Sequence, residues 1–154
     1  MTSISYDEIL RGMMASVEAY DFLTLSDEAI DDFLCSWIHR SLSLPTVRRL
    51  FEKLEIDDEN RTFSFTMNTP LDDSSDADFV KTVVTDGVII EWITPKILSI
   101  TALVNRVGSK DEKWYSQSAH LNELRTLRST LRQNQNKLIG ERGFMYNPYL
   151  QRES

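Results

Sequence analysis

The chain has 154 residues, with one cysteine, two histidines, five glycines and four prolines. The lone Cys35 excludes an internal disulfide and fits a reducing compartment. No apolar run approaches the roughly 20 residues that span a bilayer. The opening MTSISYDEILRG is acidic where a secretory signal would be basic. GxGxxG, the P-loop and GxSxG are all missing, which removes the common phosphate-cradling and nucleophile-elbow chemistries. Cys35 and His39, four apart, share a helix face and offer two metal positions. A structural zinc site takes four ligands, and nothing in the sequence marks the other two. Cys35 therefore reads as packing near a core edge and His39 as sitting at the solvent boundary. The acidic runs Asp57-Asp58-Glu59 and Asp72 to Asp78 lack the central glycine and the ligand spacing of a calcium loop, and read as solvated faces. With no convergent polar motif, the expectation is a chain without catalysis, cofactor or metal.

What is present is an uneven charge. The net charge is −7. Residues 1–104 carry 19 Asp/Glu against 8 Lys/Arg, a net of −11, whereas residues 105–154 carry 5 against 9, a net of +4. The acidic total argues against general nucleic-acid binding, which needs a basic face to neutralise phosphates. An acidic body with a basic C-terminal third admits two readings. Either the basic part of one copy docks on the acidic body of the next, or a solvated basic helix offsets the surface of its own molecule.

The hydrophobic spacing predicts a mainly α fold. Ser5 caps a helix to Tyr20, with Asp7 and Glu8 in its first turn and Ile9, Met13, Val17 and Tyr20 on one face. Ser26 to Leu42 is the clearest helix, with a stripe of Ile30, Phe33, Leu34, Trp37, Ile38 and Leu42. Pro45 opens a short helix with Val47, Leu50, Phe51 and Leu54 inside. Residues 61–67 alternate and predict a short strand, with Phe63, Phe65 and Met67 on its apolar side. After the acidic loop 68–78, the stretch KTVVTDGVIIEWIT satisfies both a hairpin turning at Asp86-Gly87 and a helical face through Val80, Val83, Val84, Val88 and Trp92. Ser75 stands three before Asp78, at capping-box spacing. Pro95 breaks such a helix or begins another over residues 96–107. A last helix runs from Ser116 or Ser118 to about Arg142. Its seam is Leu121, Leu124, Leu131 and Leu138, with Leu127 beside it and Arg128 and Gln135 interrupting it.

The chain ends GFMYNPYLQRES. Twelve residues cannot bury their own Phe and Tyr side chains. Gly140 and Gly143 permit a change of direction, and Pro148 biases Asn147 toward an extended backbone. The division expected is a body over 1–142 and an extended arm over 143–154. Such an arm fills a groove or adds to a sheet edge on another surface, or else folds back to close its own core.

Three segments taken together, GVIIEWITPKI, KWYSQSAHLNELRTLRSTL and KLIGERGFMYNPYL, resemble the head–tail connector (neck adaptor) proteins of tailed bacteriophages. The resemblance covers about Phe79 to Leu150 and rests on EW(L/I)xP, YSQSxHxxELR and RG(F/Y)…NxYL. It favours a helix over about 75–94. It implies a helical-bundle virion protein, forming a ring expected to be twelve-fold beneath the capsid portal and extending the DNA channel. By the same resemblance, Arg142, Phe144, Met145, Tyr146, Pro148, Tyr149 and Leu150 would dock on the portal or a neighbouring subunit. Asp72, Asp73, Asp76 and Asp78 would face the channel or the next neck or tail protein, and genomic DNA would pass without sequence-specific binding. The competing reading is a small acidic regulatory or inhibitor protein that binds a single protein partner.

Overall fold

The structure is a computed structural model that describes residues 1–18, 27–107 and 112–145, with side chains described over 1–17, 33–102 and 118–142. Among these residues the elements are β1 (Thr2–Ser5), α1 (Tyr6–Glu18), α2 (Asp27–Ser43), α3 (Pro45–Arg48), β2 (Phe51–Asp57), β3 (Thr62–Met67), α4 (Asp73–Val107) and α5 (Glu112–Met145). The expected mainly helical fold with a short β element is what forms.

The predicted strand is the centre of a three-stranded antiparallel sheet ordered β1-β3-β2. Ile4 stands opposite Phe63 and Leu54 opposite Phe65. Phe63, Phe65 and Met67 are buried, and the residues between them are half-buried, as strand alternation requires. The two outer strands correct the sequence reading. Residues 2–5 pair with β3 before α1 begins. Beyond Arg48 the chain leaves the helix that Pro45 opens and extends into β2. Phe51 still reaches the core, but by pairing with β3 through a bulge between Phe51 and Lys53. The ladder satisfies the backbone groups that face β3 and buries Phe51, so pairing outweighs a short helix's local preference.

Ser5 caps α1 as expected, and Glu8 closes a capping box. The Glu8 amide donates to Ser5 Oγ at 3.2 Å, and the Ser5 amide donates to Glu8 Oε2 at 2.8 Å. Ile9, Met13 and Val17 are buried, with Tyr6 at the start of the same face. On α2, Leu34, Trp37, Ile38 and Leu42 are buried, whereas Phe33 is 55% exposed and stacks on Trp37 at 6.0 Å. Tyr20 and Ile30, expected on these two apolar faces, lie outside the described side chains.

The ambiguous stretch is helical, and α4 runs 35 residues without a hairpin at Asp86-Gly87. Its cap is Asp72 rather than Ser75: the Ser75 amide and hydroxyl donate to Asp72 at 2.8 and 2.9 Å. Pro95 neither ends the helix nor begins a new one, and sits exposed inside α4. The hairpin signal fails because α4 is covered on several sides. It packs against α1, α2, α5 and β1. Val80, Val83, Val84, Val88, Ile89, Ile90, Trp92, Ile93 and Ile97 are all buried. A fully covered helix is apolar nearly all round, and such a run looks like a strand in sequence.

Asp76 meets Arg142, Val83 meets Gln135 and Thr101 meets Arg125, so α5 returns antiparallel along α4. The buried edge of α5 is Leu121, Leu124, Leu127, Leu131, Gln135, Ile139 and Arg142. It drifts from the expected Leu138 to Ile139 because a straight helix advances 3.6 residues per turn, not 3.5. Gln135 lies within the seam rather than breaking it. Its Nε2 donates to the Val83 carbonyl at 2.9 Å, and its Oε1 accepts from Arg132 at 2.7 Å.

Gly87 is required by this packing. A Cβ there would lie 2.6 Å from Ser41 Oγ, 2.9 Å from Ser41 Cβ and 3.3 Å from Gln135 Nε2, so α2, α4 and α5 converge on the missing side chain. We expect Gly87→Ala to destabilise the fold by about 1–3 kcal/mol in thermal melts, through overpacking. Part of that loss should return in the double variant Gly87→Ala/Ser41→Gly. The neighbouring Asp86 is half-buried, and burial pushes its carboxyl up to about 6, against roughly 3.9 in an unfolded chain. The protonated form is thus favoured in the fold. That contribution is complete below about pH 4 and is lost as pH rises through about 6. Asp86→Asn should therefore stabilise the protein by about 1–2 kcal/mol at neutral pH and have little effect near pH 4, read by urea denaturation at both pH values.

Candidate functional site

The residues singled out from the sequence divide into three groups. Arg142 and Asp76 face each other inside the body. The Arg142 guanidinium donates to Asp76 Oδ1 at 2.7 Å and to the Thr69 carbonyl at 2.8 Å, and it lies 4.8 Å from the Phe79 ring centroid. Both side chains are nearly inaccessible, 6% and 5% exposed. This corrects their assignment to partner and channel surfaces. A charge this buried is held by its internal partner, and exposing either one would strand the other.

Asp72, Asp73 and Asp78 are exposed. Asp72 caps α4, Asp73 accepts a long hydrogen bond from Thr2 at 3.4 Å, and Asp78 lies 4.0 Å from Lys81. Part of this acidic segment therefore serves the N-terminus of α4, where the helix dipole favours negative charge. In the arm, the backbone of α5 continues through Gly143 to Met145, past the expected boundary at 142. The side chains of Phe144 and Met145, and residues Tyr146, Pro148, Tyr149 and Leu150, lie outside the described residues.

The fold also assembles a surface that the sequence reading passed over. An open groove of about 460 Å³ lies between α4 and α5, lined by Ile90, Glu91 and Thr94 on one side and Arg125, Arg128, Ser129, Arg132 and Gln133 on the other. The three arginines step by three and four, so they share one face of α5. Arg125 also reaches Thr101 at 3.4 Å, Arg132 reaches Gln135 at 2.7 Å, and Arg40 of α2 approaches Glu91 at 3.4 Å. The signal was present as arginines at i, i+3 and i+7. What the sequence did not reveal is that α4 supplies the opposite wall. A groove with three guanidinium groups on a chain of net charge −7 is suited to carboxylates or phosphates, which arginine binds bidentately.

A second polar cluster forms where the β2–β3 turn meets α1 and α2. His39 Nε2 lies 2.8 and 2.9 Å from the two carboxylate oxygens of Asp58. The Tyr6 hydroxyl donates to the same carboxylate in a short hydrogen bond. Cys35 borders it, with its Sγ within 4.8 Å of the His39 and Asp58 polar atoms. These donors hold the Asp58 carboxyl at about 2, with the Tyr6 hydroxyl contributing most and His39 next. Burial pushes the Cys35 thiol and the Tyr6 phenol up, and the Asp58 charge adds to both shifts. Cys35 sits at the edge of the core and His39 at the solvent boundary, as expected. The turn carrying Asp58 is fixed by Asp57, which accepts from the Asn60 amide at 3.0 Å and from the Asn60 side chain at 2.6 Å. Arg61 follows in a left-handed conformation with φ 55°.

Comparison with family models, with curated proteins and with solved structures finds no match to this chain. Among the described residues no helix is long and apolar enough to cross a membrane.

The buried pair makes a direct prediction. Arg142→Ala or Asp76→Ala should each destabilise the fold by about 3–5 kcal/mol, because each leaves an uncompensated buried charge. The double variant Arg142→Ala/Asp76→Ala should cost clearly less than the two single changes together, measured as a double-mutant cycle by chemical denaturation.

Proposed function

We propose that this chain is a structural subunit of a tailed-phage neck: a head–tail adaptor that assembles as a ring between the capsid portal and the next neck or tail protein. One observation carries the reading. The segments EWITPKI and YSQSAHLNELR, which suggested a connector, lie on the two consecutive helices α4 and α5 and meet at one groove. Glu91 and Thr94 of the first line it opposite Arg125 of the second. Arg128 and Arg132 extend the same wall. Motif residues brought together on an open surface suit a contact with another chain better than a core.

In this reading the arginine wall of one copy receives exposed carboxylates of the next. Glu52, Glu55, Asp57 and Glu59, on and beside the edge strand β2, are such carboxylates. Opposite charge across the contact fixes register and disfavours like-to-like pairing. The C-terminal residues Phe144 to Leu150 supply aromatic anchors for the portal or a neighbouring subunit. Asp72, Asp73 and Asp78 remain available to a channel wall or a tail-side partner. An acidic wall repels phosphate, so DNA passes without sequence-specific contact. A twelve-fold ring follows only from the resemblance. The role needs no catalysis and no cofactor, and its location is the virion neck, after synthesis in the host cytoplasm.

The test is quantitative mass spectrometry of purified tailed particles from the source lysate. The expected result is this chain at about one copy per portal subunit. Its absence from particles, with the chain free in the lysate, would overturn the adaptor reading and leave the small acidic inhibitor of a single protein partner.

A further inference from the structure

The geometry points to a divalent metal site of the zinc type formed by Cys35, His39 and Asp58, independent of the adaptor reading. The Cys35 Sγ, a ring nitrogen of His39 and a carboxylate oxygen of Asp58 all lie within 4.8 Å of one another. Zinc bonds of about 2.0 Å to nitrogen or oxygen and about 2.3 Å to sulfur place tetrahedral ligand atoms roughly 3.3–3.8 Å apart. The three side chains therefore need only rotamer-scale movement to close on one ion. Cys35 and His39 are one turn apart on α2, so a rigid helix sets two of the three positions. The Asp57–Asn60 turn sets the third.

The donor set selects the metal class. One thiolate, one imidazole and one carboxylate form a borderline-soft group, which suits Zn²⁺ or Co²⁺ and not Ca²⁺ or Mg²⁺. The charges balance: thiolate and carboxylate together neutralise a dication, and neutral His39 adds none. Binding converts the Cys35 thiol to a thiolate and releases its proton to solvent. The side chains of His39 and Asp58 are 41% and 49% exposed, which leaves an entry path and a fourth position for water. Beneath them the buried Tyr6 hydroxyl donates to Asp58 and would orient the carboxylate, as outer partners do in metal sites.

The experiment titrates Co²⁺ into the purified full chain, stripped of metal and kept reduced without a thiol reagent. The expected result is one equivalent bound, with thiolate-to-cobalt charge-transfer absorption and tetrahedral ligand-field bands, both displaced by Zn²⁺. Cys35→Ser should abolish the charge-transfer band while keeping the helical circular dichroism. His39→Gln and Asp58→Asn should each weaken binding by at least about tenfold. Should Asp58→Asn lose helical content, Cys35→Ser and the solvent-facing His39→Gln carry the decision. The proposal is overturned if no charge-transfer band appears at one equivalent. It is equally overturned if His39→Gln binds as tightly as the unaltered chain, since His39 would then not be a ligand and the three-residue site would not exist.

Discussion

The close approach of α2 and α5 to α4 at Gly87 is the constraint from which the rest of the packing follows. With no side chain at that point, Ser41 of α2 and Gln135 of α5 come within contact of the α4 backbone. Helices that approach this closely can bury a continuous face. The valines and isoleucines of α4 meet Leu34, Ile38 and Leu42 of α2, and on another side the leucines of α5. The approach has a cost, because Ser41 Oγ is buried with no hydrogen-bond partner among the described residues. Core burial offsets it, since each fully buried aliphatic side chain contributes roughly 1.5–3 kcal/mol.

Inside this apolar packing, polar residues set position more than strength. The buried aliphatics on the α5 edge, Leu121, Leu124, Leu127, Leu131 and Ile139, contribute roughly 10 kcal/mol gross. Hydrophobic contact alone, however, tolerates a slip of one helical turn. Gln135 on the Val83 carbonyl and Arg142 on Asp76 do not, because a slip would leave an amide and two charges unpaired. A buried ion pair adds little net stability over an apolar replacement, and its strong effect lies in penalising every other register. The Asp58 cluster acts similarly at the surface, joining the β2–β3 turn to α1 through Tyr6 and to α2 through His39.

Fixing α5 in this register also determines which of its residues face outward. Arg125, Arg128 and Arg132 lie beside the buried edge, where α4 offers Glu91 and Thr94 as a facing wall. The uneven charge of the chain thereby becomes local: a cationic groove on one face and exposed carboxylates on β2 and its turn. That division supplies the two unlike surfaces that the proposed head-to-tail contact requires. A contact of this kind closes into a ring when successive copies are related by rotation.

The sequence by itself determined the elements whose signals are local. The Ser5 cap, the α2 stripe through Leu34, Trp37, Ile38 and Leu42, the alternation of β3, and the single polar-faced last helix are all written in spacing of 2 or 3.6 residues. Tertiary structure decided what depends on a distant partner. β1 and β2 exist because β3 offers them a ladder. α4 is a helix because four neighbouring elements cover its β-branched residues, and Asp86-Gly87 serves a helix crossing instead of a turn. Arg142 and Asp76, 66 residues apart, are surface charges in a linear reading and an internal pair in the fold. The same holds for the sites. Cys35 and His39 were visible at helical spacing, but Asp58 joins them only when the turn folds over α2. The arginine ladder was visible on α5, but it becomes a groove only against α4. Local periodicity records which face of an element is apolar. Which polar groups meet across elements is set by packing, and no local pattern encodes it.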